Sequence, residues 1–233
     1  MTDFAPFEGF PKEGIEFFKE LRENNNRNWF IANKKRYTEF VIKPAQSLVQ
    51  ELGEKLSKTL VDLSYDTKLT GSGSIMKIYR DVRFSKDKTP YRTRLGIIFW
   101  EGPGKKMEHS GFHLGLSDQM FVVHGGMHTF TKEMLPKYRI AVVDDRLGKE
   151  LSKIVNKLKD SGYTIGGTHY KRVPRGFDPE HENADFLLHN GLYAGYSKIP
   201  RKVISSSELV DHCLEHFISM SPLHNWLVER DRS

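Results

Sequence analysis

The chain is predicted to fold as α+β, with a mainly antiparallel sheet and helices packed from its N-terminal, central and C-terminal segments. Three observations predict this. Some sixty residues of helical periodicity come first, consecutive strand-like runs follow from Ser74, and helical patterning returns before the end. Segregated runs of this kind argue for α+β, whereas a doubly wound fold would alternate strand with helix. The 233 residues are expected to form a single domain, with a helical part at about 10–60, a sheet-containing part at about 74–200 and C-terminal helices at about 206–230.

The first helix is read in PKEGIEFFKELREN, where Pro11 stands at a favoured first-turn position and Ile15, Phe18 and Leu21 recur at spacings of three. It should stop at the turn-prone Asn24-Asn25-Asn26. A second helix, from about Trp29 to Phe40, should bury Trp29 or Phe30 with Tyr37 and Val41, and Pro44 should restart a third that runs to about Leu60. Val61 to Gly73 is a polar linker. From Ser74, IMKIYRDVRF and RLGIIFW carry the β-branched and aromatic enrichment of strands, separated by the turn-rich SKDKTPYRT. GFHLGL and MFVVHGGMH then form a hairpin around Ser117-Asp118-Gln119. Thr131 is a candidate N-cap for a helix toward Val143, and a further helix covers Arg146 to Lys159, ended by Ser161-Gly162. Asp178-Pro179 should open a short helix to about Leu188 before a turn at Asn190-Gly191. LYAGYSKIP is one more strand, and the helix beginning at Ser206 should be interrupted at Ser221-Pro222.

Composition removes several classes of protein. The single cysteine, Cys213, forms no internal disulfide, which excludes a disulfide-stapled scaffold and makes a cytoplasmic location the expectation. No run approaches ~20 apolar residues, and MTDFAPFEGF lacks a basic and then apolar leader, so neither a membrane span nor a signal peptide is expected. The net charge of +6 is local. Nine cations and three anions lie between Lys77 and Lys106, and the rest of the chain is neutral.

That segment holds the main functional information. In YRDVRFSKDKTPYRT, strand alternation places Arg80 with Val82 and Phe84 on one face and Asp81 with Arg83 on the other. Arg80 is thus directed toward the core, where a guanidinium needs a carboxylate or an anionic ligand. The following turn gathers Lys86, Lys88, Arg92 and Arg94 with Tyr91, a set able to hold a phosphate or carboxylate through charge-assisted hydrogen bonds. The competing reading is a structural salt-bridge network of Arg80 and Arg83 with Asp81 and Asp87. No Walker pattern or dinucleotide fingerprint is present.

This segment resembles the signature of the family termed domain of unknown function 2461, found in bacteria and fungi. The resemblance takes in Arg80, Asp81, Arg83, Phe84, Asp87, Lys88 and Tyr91, and extends to NNNRNWFIANKKRY, the strand bearing Gly125-Gly126, and VPRGFDPEH. Lys77 stands where the family often has Arg, which weakens any bidentate role there. The resemblance marks residues and implies no mechanism.

A second feature follows from hairpin register. Pairing Leu116 with Phe121 collects Leu114, Leu116, Phe121 and Val123 on one apolar face, and a one-residue slip would scatter them. The other face then sets His109 against His128, Gly111 against Gly126 and His113 against His124, with the two histidine pairs about 13 Å apart at strand rise. Opposed glycines leave room for a ligand or for another backbone. His113 and His124 are candidate metal ligands or general bases, but no third ligand is evident, so no metal and no cofactor is expected. His212 and His216 on the last helix are a weaker pair. Arg172 and Arg175 in RVPRGFD form a third candidate, whose plainer role is a rigid connector.

The leading expectation is a protein that binds a small anionic ligand through Arg80, Arg83, Lys88, Tyr91 and Arg94, with Gly126 at a close-approach position. Whether it is an enzyme is left open; Asp81, His113 and His124 are the candidate catalytic groups, and no nucleophile constellation is present. The alternatives are a nucleic-acid-binding protein, suggested by Tyr79, Phe84 and Tyr91 among the cations, and an interaction module whose Arg/Asp cluster is structural. No membrane partner is expected.

Overall fold

A computed structural model of the chain describes residues 4–232. Two compact units are present. The first holds the described residues up to 99 with 113–123 and 197–215; the second holds 100–112, 124–196 and 216–232. Six strands form one antiparallel sheet, and the class is α+β as expected.

Helix α1, Lys12–Glu23, starts after Pro11 in extended backbone and buries Ile15, Phe17, Phe18 and Leu21 on one side, each fully buried side chain contributing about 1.5–3 kcal/mol. Helix α2 is Arg27–Tyr37, two residues earlier than expected, because the Asn26 side chain accepts the Trp29 N–H at 3.0 Å and caps it there. Of the two aromatic candidates, Phe30 is the buried one. The expected restart at Pro44 is corrected by the structure. The helix continues through a π-turn at Thr38–Ile42 into α3, Lys43–Leu56, and the Lys43 N–H reaches back to the Thr38 carbonyl. Pro44 has no N–H to offer Phe40, so the wider turn carries the chain past the missing donor.

The strands are β1 Leu63–Ser64, β2 Leu95–Glu101, β3 Gly111–Leu116, β4 Phe121–Met127, β5 Thr164–Thr168 and β6 His189–Tyr196, in spatial order β1-β2-β3-β4-β6-β5. The hairpin has the expected register. The Ser117 N–H donates to the Met120 carbonyl at 2.9 Å, and the Cα of Gly115 faces the Val122 side chain. Leu114, Leu116, Phe121 and Val123 are all buried.

The strand expected over IMKIYRDVRF is reduced to two isolated bridges, Ile75 with Ile97 and Tyr79 with Tyr91. The ladder ends at the Arg80 N–H bonded to the Pro90 carbonyl. Beyond it, the Asp81 carboxylate takes the Arg83 N–H at 3.2 Å, a local turn that competes with strand pairing. Phe84 therefore does not share an inward face with Arg80 and is 95% exposed.

Helices α4 (Met134–Val143) and α5 (Leu147–Asp160) match expectation, and Thr131 caps α4 through the Met134 N–H at 3.0 Å. The helix expected from Asp178 is only turns followed by a short 3-10 segment, Ala184–Leu188. Strand β5, TIGGT, was not expected. It pairs antiparallel with β6, with a shift between Gly166 and Thr168. Asn190-Gly191 lies within β6 instead of forming a turn: the Asn190 carbonyl accepts the Phe130 N–H at 2.8 Å, and the backbone approach is so close that a Cβ on Gly191 would lie 2.2 Å from the His128 carbonyl oxygen. After α6 (Arg201–Ile204), α7 runs unbroken from Leu209 to Arg232 with Pro222 inside it. The Ser221 hydroxyl donates to the Ile218 carbonyl at 2.8 Å, satisfying the acceptor that Pro222 leaves without a backbone donor. No helix is long and apolar enough to cross a membrane, among the described residues.

Candidate anion-binding cleft

The first unit contains a cleft of about 700 Å³ lined by four arginines, Arg22, Arg80, Arg92 and Arg94, against two aspartates, Asp81 and Asp87. Its wall is built from the Tyr79–Tyr91 bridge, the residues leading into β2, and the end of α1. Arg92 N–H bonds to the Ile78 carbonyl at 2.7 Å, which closes the ladder beside the bridge and sets the direction of the Arg92–Arg94 segment.

Asn25 ties the α1 end to this wall. Its side-chain amide donates to the Tyr91 carbonyl at 2.9 Å, and its oxygen accepts the Tyr91 N–H at 3.1 Å. The side chain thereby stands in for a strand neighbour. The Tyr91 ring stacks on Phe30 with centroids 4.2 Å apart, and burial pushes its phenol above the usual range, which keeps it a hydrogen-bond donor.

The two aspartates serve the arginines differently. Arg80, with a quarter of its side chain exposed, donates to Asp87 at 2.6 Å, to the Thr89 carbonyl at 3.0 Å and to the Thr89 hydroxyl. Asp87 in turn accepts the Thr89 N–H at 2.9 Å and the Thr89 hydroxyl at 3.0 Å. These Thr89 donors, with Arg80 after them, hold the Asp87 carboxyl down to about 2. It is an ionised acceptor at any ordinary pH and a poor proton donor. Asp81 grips Arg83 in a two-pronged pair, Nε to Oδ1 at 3.0 Å and Nη2 to Oδ2 at 2.7 Å, and this pairing lowers its carboxyl.

Of the residues marked in the sequence, Arg80, Asp81, Asp87, Tyr91, Arg92 and Arg94 line the cleft. Arg83 and Lys88 are not in its lining. Arg83 is spent on Asp81, and the Lys88 ammonium donates to the Val82 and Arg83 carbonyls at 3.0 and 3.4 Å, closing the loop on itself. Arg22 and Asn25 are site residues that the sequence did not mark; Asn25 lies in the NNNRNW block of the family resemblance, where Asn24-Asn25-Asn26 reads only as a helix stop. Arg22 pairs with Asp118, whose carbonyl also accepts Arg201 at 2.8 Å. Arg92 and Arg94 have neither a hydrogen bond from their guanidinium nor an ion pair among the described residues.

The histidine features lie apart from this lining. His113 is half-buried on β3. In the second unit, the His124 and His128 ring centroids are 5.2 Å apart, where a regular strand would hold them about 13 Å apart. The chain bends at Gly126, which sits at φ +127°. The room at Gly126 is taken by backbone, since a Cβ there would lie 2.4 Å from the Leu192 carbonyl oxygen. Tyr193 packs on His128 at 4.1 Å, and His109, expected opposite His128, instead bonds Asp231 at 3.1 Å and the Pro103 carbonyl at 2.6 Å. No cluster of three metal-ligating side chains occurs among the described residues.

Two arrangements that resemble nucleophile sites are closed. Burial pushes the Cys213 thiol far up. Ser110, His224 and Glu101 form a hydrogen-bonded series, Oγ to Nδ1 at 3.0 Å and Nε2 to Oε2 at 3.0 Å, with Arg232 on the other Glu101 oxygen at 2.8 Å. Ser110 is only 3% exposed and His224 not at all, so no substrate reaches the hydroxyl, and the series satisfies buried polar groups.

Residues 13–226 match the family described as Conserved hypothetical protein (DUF2461). No curated protein and no solved structure matches the chain.

Proposed function

The chain belongs to the DUF2461 family, and we propose that it binds a small anionic ligand, bearing phosphate or carboxylate, in the arginine-lined cleft of its first unit. The observation that carries this reading is the unequal state of the four arginines. Arg22 and Arg80 are oriented by Asp118, Asp87 and Thr89, whereas Arg92 and Arg94 face the same cleft with no protein acceptor among the described residues. A planar guanidinium offers paired donors that match a phosphate or carboxylate edge, and each charge-assisted bond is roughly twice as strong as a neutral one. Tyr91 and Thr93 line the same wall. No histidine, cysteine or lysine lines the cleft, so the reading is one of recognition, with Asp87 positioning Arg80.

A thermal-shift panel of phosphate, pyrophosphate and dicarboxylates tests it. Stabilisation by at least one of these, weakened by added sodium chloride and lost in Arg92→Ala/Arg94→Ala, supports the reading; an unshifted transition at low salt across the panel refutes it.

One observation favours nucleic acid instead. Phe84, almost wholly exposed, lies 5.8 Å beneath the Arg83 guanidinium on the basic loop, an aromatic and cationic pair suited to stacking an unpaired base. Binding of a single-stranded oligonucleotide that falls steeply with salt and disappears in Phe84→Ala distinguishes this reading.

A further inference from the structure

The first unit holds a second cavity, of about 330 Å³, that shares no lining residue with the arginine cleft. The stacked Phe30 and Tyr91 rings stand between them, Phe30 lining one and Tyr91 the other. Its chemistry is different. The floor is Phe30, Ile42, Ile75 and Ile78, all buried, and no carboxylate lines it. The π-turn that Pro44 imposes brings Thr38 and Ile42 to this cavity from its two ends.

Lys34 and Lys77 also line it, along with Tyr37, Leu69, Met76 and Tyr79, and neither ammonium has a hydrogen bond or an ion pair among the described residues. The Lys77 stem lies close against Gly71, where a Cβ would come within 2.5 Å of Cε and where φ is +90°. Gly71 therefore makes room for Lys77 in a turn conformation that other residues seldom adopt. An apolar floor with a few convergent polar groups is the usual make-up of a small-molecule site, and 300 Å³ is the lower end of the usual range.

We propose that this cavity binds a small organic anion with an apolar body, the body resting on Phe30 and the three isoleucines and the carboxylate meeting Lys34 and Lys77. At roughly 30 Å³ for each water-sized volume, the cavity takes a molecule of about ten non-hydrogen atoms. This site is separate from the arginine cleft. The proposal stands or falls independently of phosphate binding there.

Titration calorimetry on the full chain with 3-phenylpropanoate and its neutral, equal-sized amide tests the proposal. The acid is expected to bind at least about fivefold tighter than the amide. Lys34→Met/Lys77→Met, which keeps the stems and removes the charges of two exposed residues, should abolish that preference. Thr38→Trp, at an exposed lining position, should block both ligands while the circular dichroism spectrum stays that of the parent. Arg92→Ala/Arg94→Ala should leave both affinities unchanged. Absence of binding up to about 5 mM, equal binding of acid and amide by the parent, or binding undiminished in Thr38→Trp overturns it.

Discussion

Replacing Asn25 with alanine removes the tie between the end of α1 and the cleft wall, and the structure gives its cost. Two hydrogen bonds are lost, at 2.9 and 3.1 Å, both to the backbone of Tyr91. At about 1 kcal/mol net each, with a further penalty for the part-buried amide and carbonyl left without partners, the loss is about 2–3 kcal/mol. For a chain of this size each kcal/mol moves the midpoint by roughly 2–4 °C, so a fall of about 5–10 °C is expected by calorimetry. Asn25→Asp is the informative control. It retains an acceptor for the Tyr91 N–H but turns a carboxylate toward the Tyr91 carbonyl and adds negative charge to the cleft. It should lose as much stability as the alanine variant and more affinity for phosphate. A midpoint within about 1 °C of the parent for Asn25→Ala would show that the side chain does not hold the wall.

Three further outcomes follow from the second unit. Glu101 is held below its usual 4.5, first by the hydrogen bond from His224 and with a contribution from Arg232. A carboxyl lowered on folding contributes stability that is complete above its unfolded value and is lost as pH falls through its folded value, so urea midpoints should drop below pH 4.5. His224→Ala should flatten that acid limb and cost about 3 kcal/mol at neutral pH, since it leaves Ser110 and Glu101 without their buried partner. Gly126→Ala forces a side chain into a left-handed conformation and against the Leu192 carbonyl, and urea unfolding should show a loss of about 2–4 kcal/mol.

What the sequence made legible depended on how local the cause was. Helix α1 and the β3–β4 hairpin were readable because a single periodicity decides each: Ile15, Phe18 and Leu21 for the helix, and the Leu114, Leu116, Phe121, Val123 set for the register. Elements set by a distant partner were not. Strand β5 is TIGGT, in which Gly166-Gly167 interrupt the strand signal of the β-branched residues, and it is held by pairing with β6. Pro222 read as a break because the rescue of the Ile218 carbonyl by Ser221 is a side-chain event. At the cleft, the charge map located the segment, and Arg80, Tyr91 and Arg94 of that segment line one cavity. The division of labour was hidden. Nothing local distinguishes Arg83, closed onto Asp81, from Arg92, which faces the cleft, and Arg22 joins them only through the packing of α1.

The proposed role of Arg92 and Arg94 as donors to an external anion is tested by isothermal titration of pyrophosphate into the parent chain and Arg92→Ala/Arg94→Ala at low ionic strength. Two exposed charge-assisted contacts at about 1 kcal/mol each predict a roughly thirtyfold weaker Kd in the double variant, with the difference shrinking as salt is added. Equal affinities in the two proteins, or no heat of binding in the parent, would contradict it.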